Sequence, residues 1–292
     1  MPSLKDIRTR IDSTKNTQQI TRAMKLVSAA KLRKAQHQIM GMRPYAISLL
    51  KAIANIAASH RVKHPLLAEK GQTEKLLLVV LSSDRGLCGG FNSGIIKATE
   101  AYLKENSSKY DQVDLIFMGR KAAEYFQKRS FRVLEVMNRL DRDMSYKMAA
   151  AFAERCMQLF TAGDYCEVKF LYNEFRSAIS QKPVMESLLP VDISKQNFAG
   201  SDGASGFAAD MIFEPRAEVI IDELLKKHFS VQVFRCMAES VAAEHGARMT
   251  AMENATNNAK EVLNKLTLTY NKVRQEKITR ELIEIVSGAE AL

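Results

Sequence analysis

Residues 76–94 read Leu76-Leu77-Leu78-Val79-Val80-Leu81-Ser82-Ser83-Asp84-Arg85-Gly86-Leu87-Cys88-Gly89-Gly90-Phe91-Asn92-Ser93-Gly94. A short unbroken aliphatic run closed by polar and glycine residues is the pattern of a strand covered on both faces. The glycines after it make a turn, and residues 92–104 follow as a helix. The alternation continues toward the C-terminus. Val113–Met118 reads as a strand, Gly119 as a turn, Arg120–Lys128 as a helix and Val133–Met137 as a short strand. Tyr146–Phe160 reads as a helix and Val168–Phe175 as a further strand. Strands alternating with helices predict a mostly parallel sheet, a Rossmann-like α/β domain. Ser194–Asp210, with Gly200, Gly203 and Gly206, reads as a flexible loop.

Outward from this domain the pattern changes to long helices. Gly and Pro are absent from Ser3 to Met40, with a weak point expected at Gly41 and Pro44. From Arg216 to Ser287 there is no Pro and a single Gly, Gly246. Ser3 suits a helix N-cap with Asp6 three positions on, Pro215 a first helical turn, and Gly288 a C-terminal stop. Leu32, Ala35, Ile39, Met42, Ala46, Leu49, Ile53 and Ile56 recur in steps of three and four, as do Leu263, Leu266, Tyr270 and Val273. So narrow a stripe is a coiled-coil seam, with Ala23, Ala30, Ala35, Ala255 and Ala259 expected in it to allow close approach. At 1.5 Å per residue, roughly 70 residues would make a rod of about 100 Å, too long for the domain to enclose. The predicted organisation is an N-terminal coiled-coil helix over 1–60, an α/β domain over 61–214 and a C-terminal coiled-coil helix over 215–292.

Charge and aromatic side chains are distributed unevenly. Residues 1–64 hold 13 Lys or Arg against two acids, Asp6 and Asp12, so this segment's net of +11 outweighs the +10 of the whole chain. Tyr45 is the only aromatic residue before residue 76 and Tyr270 the only one after Phe234. Narrow ends and a thicker middle follow from that distribution. The longest aliphatic run has six residues, far short of the roughly 20 a spanning helix needs. The first residues show no signal-peptide pattern. Cys88, Cys156, Cys166 and Cys236 form no CxxC pair, which removes zinc-ribbon and disulfide-scaffold classes and suits a reducing compartment. A soluble, basic, intracellular protein is the expectation.

Ser83–Gly94 follows a strand and opens a helix, a place where phosphates often bind. It lacks the Gly-Lys-Ser/Thr ending of a P-loop and the spacing GxGxxG, so it reads as a structural or contact turn. A nucleophilic Cys88 needs a base, and the histidines His37, His60, His64, His228 and His245 all fall outside the alternating strands and helices from Leu76 to Phe175 in sequence. Their spacing suggests no metal site. No catalytic residue, cofactor site or metal site is expected.

The basic first helix leaves three readings: phosphate contacts with nucleic acid, a solvated face, or a rod that meets acidic protein surfaces. No aromatic stacking platform accompanies Lys5, Arg8, Arg10, Lys15, Arg22, Lys25, Lys31, Arg33 and Lys34, and no acids are interspersed among residues 13–68. Met24, Met40, Met42, Met237, Met249 and Met252 read as core filler.

Three blocks carry a resemblance. Leu4–Arg8 with Asn16–Val27, the turn Asp84–Asn92, and Ala247–Met252 with Tyr270–Gln275, Ile278–Leu282 and Ile285–Ala289 resemble the γ-subunit family of the rotary F-type ATP synthases. Gln19 stands where a Lys is common there, Glu253 where a Lys or small residue is expected, and Asn257 where an Asp is expected. The resemblance implies a rotor shaft made of the two terminal helices. It would turn inside a ring of α and β subunits and couple proton flow to ATP synthesis without binding nucleotide catalytically. It implies that Met24, Lys25 and Arg248 meet acidic lever loops of β. Arg274, Gln275, Thr279 and Glu281 would form a polar catch with β and α, and Ile285 and Val286 an apical bearing. Asp210, Phe213 and Glu214 would belong to a foot that docks the ε subunit and the c-ring. It further implies a bacterial protein held peripherally, through the c-ring, on the cytoplasmic face of the inner membrane. The competing class is a basic coiled-coil scaffold for nucleic acid, and an enzyme built on the glycine-rich turn is a more distant third.

Overall fold

A computed structural model of the chain describes residues 3–60, 64–67, 75–106, 108–129, 131–138, 140, 144–191 and 216–290. Helix α1 spans Leu4–His60, followed by β1 (Lys75–Leu81), α2 (Phe91–Glu105), β2 (Gln112–Met118), α3 (Arg120–Phe126) and β3 (Arg132–Met137). Then come α4 (Tyr146–Ala162), β4 (Glu167–Phe175), β5 (Gln181–Leu189) and α5 (Ala217–Glu290). The chain divides into two compact units, one made of Met1–Ala29 with Arg248–Leu292, the other of Ala30–Ala247.

The larger unit contains a five-stranded sheet of order β3-β2-β1-β4-β5. β1 lies parallel to β2 and β4, and β2 parallel to β3. β5 pairs antiparallel with β4, Tyr172 opposite Val184 and Phe170 opposite Glu186. The predicted α/β alternation is present, and β5 is the strand that was not anticipated. Pro183 and Lys182 make β5 a poor strand by composition, but on an edge neither costs a ladder bond. Leu76 to Leu81 are fully buried. Leu76, Leu78 and Val80 pack on one face of the sheet with Ile95 of α2 and Phe126 of α3, whose ring stacks on Phe117 at 5.4 Å. The other face is covered in part by α4, where Phe152 meets Phe170 edge to face. α4 is closed at its start by the Ser145 hydroxyl, which accepts from Met148 N, and at its end by Gly163 in the left-handed region.

Helix α5 enters this unit as a core element. From His228 to Ala247 every residue is buried except Arg235 and Glu239, which are half-buried. A helix apolar on all sides has to be enclosed. One stripe along it is polar, His228, Gln232, Arg235 and Glu239, and Ser230, Ser240, Glu244 and His245 are further buried polar residues. The Arg235 guanidinium reaches both carboxylate oxygens of Glu186 on β5 at 2.7 Å and the Tyr172 hydroxyl on β4 at 3.0 Å. Further along, the β4–β5 hairpin crosses α5 at Gly246. A Cβ there would sit 3.0 Å from Phe175 Cε2 and 3.4 Å from Ala178 Cα, so the missing side chain is what permits the crossing. The predicted seam from Leu32 to Ile56 is buried or half-buried throughout, with Ile53 fully so.

In the smaller unit, α1 begins with a reciprocal capping pair: Ser3 N donates to Asp6 Oδ2 and Asp6 N to Ser3 Oγ. Thr21 Oγ1 bonds Thr256 Oγ1 at 2.8 Å, and Lys25 Nζ pairs with Glu253 at 2.7 Å. The descending partner number for an ascending residue makes the two helices antiparallel. On α5 the seam holds as predicted, with Leu263, Leu266, Tyr270 and Val273 half-buried among exposed neighbours. On α1 it is shifted: Ala23 and Ala30 are exposed, and Thr21 and Ser28 take the inner positions. The heptad continued from Leu32 and Ala35 falls on 28 and 21, and small hydroxylated residues fill those places as Ala would.

Two expected interruptions also differ. α1 runs through Pro44, whose ring removes one hydrogen bond, to the Met40 carbonyl, at a turn where Met40 and Gly41 face solvent. α5 continues past Gly288 to Glu290. Pro215 lies outside the described residues.

Two outcomes follow. Gly246→Leu should lower stability by about 1–3 kcal/mol through overpacking. Combined with Phe175→Ala it should cost less than the sum of the single changes in thermal unfolding. Burial, with the Arg235 charge beyond it, pushes His228 down to about 4 from 6.5, so it is held neutral in the folded chain. Its contribution is fully present above pH 6.5 and is lost as pH falls toward 4, a fall of up to about 3 kcal/mol. Urea midpoints at pH 7 and pH 4.5 should differ less in His228→Gln than in the unaltered chain.

Candidate functional site

The C-terminal ends of β1 and β4 flank the point where the strand order reverses, where doubly wound sheets usually take a ligand. The turn after β1 fills that place with bonds to itself. Asn92 Nδ2 donates to the Ser83 hydroxyl at 2.7 Å and to Cys88 Sγ at 3.2 Å, and its Oδ1 accepts from Ser83 N at 3.0 Å. The Ser83 hydroxyl donates to the Arg85 carbonyl at 2.6 Å. Leu87 is held at φ 63°, unusual for a residue with a branched side chain, and lies exposed at the tip.

The first free N–H groups of α3, a natural anion site, are taken as well. Arg120 N donates to Asp84 Oδ1, Lys121 N to the Ser83 carbonyl, and Ala122 N to the Ser82 hydroxyl. Gly119, at φ 105°, lets the chains come this close, since a Cβ there would lie 2.0 Å from the Ser82 carbonyl oxygen. A nucleotide phosphate would have to displace the Asp84 carboxylate. Above the turn, Cys88 and Phe91 pack against Phe175, Ala243 and Ala247, so α5 occupies the crevice. The reading of residues 83–94 as a structural turn stands on these bonds.

α5 also carries His228 and His245 into the α/β unit, both buried. The expectation that every histidine lies away from that region is therefore corrected: position in sequence does not show that the last helix passes through the core. Among the described residues no group of three His, Cys, Asp or Glu side chains could hold a metal ion. A cleft of about 930 Å³ opens between α4, the start of α5 and residues 64–66. Within it Asp222 pairs with His64 at 3.0 Å and with Lys226 at 2.6 Å. No described helix is long and apolar enough to cross a membrane.

The residues singled out on the terminal helices separate into two sets. Met24 and Lys25 are half-buried, Lys25 engaged by Glu253, and Arg248 is 7% exposed. Arg274, Gln275, Thr279, Glu281, Ile285 and Val286 lie on one exposed stretch: from Arg274 to Ser287 no residue is buried even in part. The antiparallel pairing explains where that stretch begins. With Thr21 level with Thr256, α1 runs out near Val273, and among the described residues α5 continues alone. Glu281 is paired with Lys277 one turn back, at 3.6 Å. Asp210, Phe213 and Glu214 lie outside the described residues. Composition did not reveal the Thr21–Thr256 bond or the Arg235 cluster, although the polar stripe at 228, 232, 235 and 239 was present at helical spacing.

Loss of the Asn92 amide should cost about 1–3 kcal/mol, since Ser83 N is left buried without a partner. Asn92→Ala should therefore shift the urea midpoint at unchanged slope, while Ser93→Ala, whose hydroxyl serves only the Gly90 carbonyl at the surface, should change it little.

A family model described as ATP synthase matches residues 3–292. The chain is 60% identical over 293 residues to the ATP synthase gamma chain of Bdellovibrio bacteriovorus, covering 100% of this chain and 99% of that one. It is 46% identical over 296 residues to the gamma chain of Anaeromyxobacter sp. strain Fw109-5, covering both fully. Among solved structures it resembles a chain of the central stalk and c-ring of the Tetrahymena thermophila mitochondrial ATP synthase, with TM-score 0.59 and 25% identity over 81% of this chain and 99% of that one. A chain of the Euglena gracilis mitochondrial enzyme shares the fold, with TM-score 0.65 and 23% identity over 99% and 94%. This chain belongs to the ATP synthase gamma-chain family.

Proposed function

We propose that this chain is the central rotor of a bacterial ATP synthase, turned by a proton-driven c-ring and imposing successive conformations on catalytic β subunits. The observation that carries the reading is the lone end of α5. Ile278, Leu282, Ile283, Ile285 and Val286 are all exposed on it, beyond the last seam residue, Val273. An unpaired helix of this kind gains most of its stability from packing, so a partner has to surround it. A sleeve of α and β subunits is such a partner. Family membership favours this reading over a nucleic-acid scaffold.

In this reading Arg274, Gln275, Thr279 and Glu281 make the polar catch with β and α, and Ile285 and Val286 turn in an apolar bearing. Met24, Lys25 and Arg248 lie where the lever loops of β would press. The ε subunit and c-ring dock on a foot that includes Asp210, Phe213 and Glu214. Domain limits of 1–60, 61–214 and 215–292 suit those roles. The chain is non-catalytic by itself and lies on the cytoplasmic face of the inner membrane, held there through its partners. Charged hydrogen bonds suit a catch that must release in every cycle, because each contributes only about 1.5–3 kcal/mol net.

The test is the synthase complex carrying a chain that ends at Gln275, reconstituted in vesicles. ATP hydrolysis should persist, while proton-driven ATP synthesis is lost. Undiminished synthesis by an assembled, truncated complex would overturn the rotor reading.

A further inference from the structure

We propose that Arg235, with Glu186 and Tyr172, is the clamp that fixes the rotational setting of α5 in the α/β unit, a positioning residue through which torque passes into the helix. The proposal rests on the rotor reading and goes beyond it by naming where the torque crosses.

A rotor needs a joint that resists rotation of its helix about the helix axis. Around α5 most buried side chains are apolar, Phe229, Val233, Cys236 and Met237 among them, and apolar contact is non-directional; Ser230, Ser240, Glu244 and His245 are buried polar exceptions outside the stripe. Turning such a helix exchanges one apolar contact for another. The polar stripe behaves differently, because hydrogen bonds fail when misaligned.

Arg235 carries its N–H donors in a fixed plane and reaches five acceptor atoms. Nε donates to Gln232 Oε1 at 2.7 Å. One Nη1 hydrogen goes to the Tyr172 hydroxyl at 3.0 Å and the other to Glu239 Oε1 at 3.2 Å. Nη2 serves both oxygens of Glu186, each at 2.7 Å. Gln232 and Glu239 lie one turn to either side on α5 and hold the guanidinium plane relative to the helix. Glu186 and Tyr172 lie on β5 and β4 and hold it relative to the sheet. Tyr172 in turn donates to Glu186 Oε2 at 2.9 Å, which closes the ring. Rotation of α5 in either sense breaks the bidentate pair.

Two further features place the load here. Among the described residues β5 pairs with the rest of the sheet on one side only, and the clamp ties this edge directly to α5. Glu186 and Tyr172 sit near the middle of their strands, opposite Phe170 and Val184, where the ladder is regular. The irregularity in this ladder lies at Val168 and Lys169, nearer the strand end.

The experiment uses the intact synthase in vesicles with two altered chains. Arg235→Lys keeps the charge but cannot serve five acceptors. The triple change Arg235→Met, Glu186→Met and Glu239→Gln removes the network without leaving a buried charge unpaired, which removes the main cost of the single change to folding. Three quantities are read: ATP hydrolysis, protons pumped per ATP, and the angular fluctuation of a rod attached at exposed Lys128 while the catalytic sites are stalled.

The expected result is hydrolysis close to that of the unaltered complex, fewer protons per ATP, and an angular variance that at least doubles in both variants. Unchanged variance and pumping in assembled complexes would overturn the clamp. So would loss of hydrolysis and pumping in step, or failure of both variants to assemble, since either makes the cluster a folding determinant only. Unchanged pumping here with lost coupling in the chain ended at Gln275 removes the clamp and leaves the rotor. Unchanged coupling in both removes the rotor reading itself.

Discussion

Between His228 and Ala247, helix α5 has almost no solvent side, and a helix of that kind is stable only when other elements enclose it on every face. Much of the larger unit is arranged around this requirement. Tyr172 and Phe175 of the sheet meet the helix through Arg235, Ala243 and Ala247. Phe234 meets the ring of Tyr146 on α4. Gly246 gives up its side chain so that the β4–β5 hairpin can cross. A fully buried Phe or Met side chain contributes about 1.5–3 kcal/mol, so the segment anchors itself chiefly by area, and the polar stripe supplies direction.

That anchoring also decides what the α/β unit can do. Doubly wound sheets usually offer a crevice at the strand-order reversal and free N–H groups at the following helices. Here Asp84, Ser83 and Ser82 occupy the N–H groups of α3, and Ala243 and Ala247 occupy the crevice. The architecture associated with nucleotide binding has become a mount for a helix. The bonds of Asn92 keep Leu87 projecting from a turn whose conformation is otherwise unfavourable for it.

In the smaller unit the balance of forces differs. The inner positions of α1 include Thr21 and Ser28, and the pair Lys25–Glu253 lies partly in solvent, 36% and 49% exposed. Such a pair contributes about 0–1 kcal/mol and mainly specifies register. Glu253 is thereby a partner for Lys25 supplied from within the chain. Beyond Val273 even that support ends, and the rotor reading asks other subunits to supply it.

Much of this was legible in the sequence because local rules govern it. Leu76–Leu81 could only be a buried strand, and the heptad spacing of Leu263–Val273 only a seam. β5 was not legible, because an edge strand tolerates Pro183 and Lys182 and so loses its compositional mark. The exact seam of α1 was missed for a similar reason: Ala23 and Thr21 are both small, and only the geometry of a paired helix chooses between them. Residues 228, 232, 235 and 239 could be seen to share a helix face, yet nothing local says that Glu186, 49 positions before Arg235, waits there. The sequence by itself determined all the elements but β5, their order and the family, since periodicity and short motifs act over a few residues. The tertiary structure alone decided that the last helix fills the crevice and that one arginine ties it to two strands, because such contacts join residues far apart in the chain.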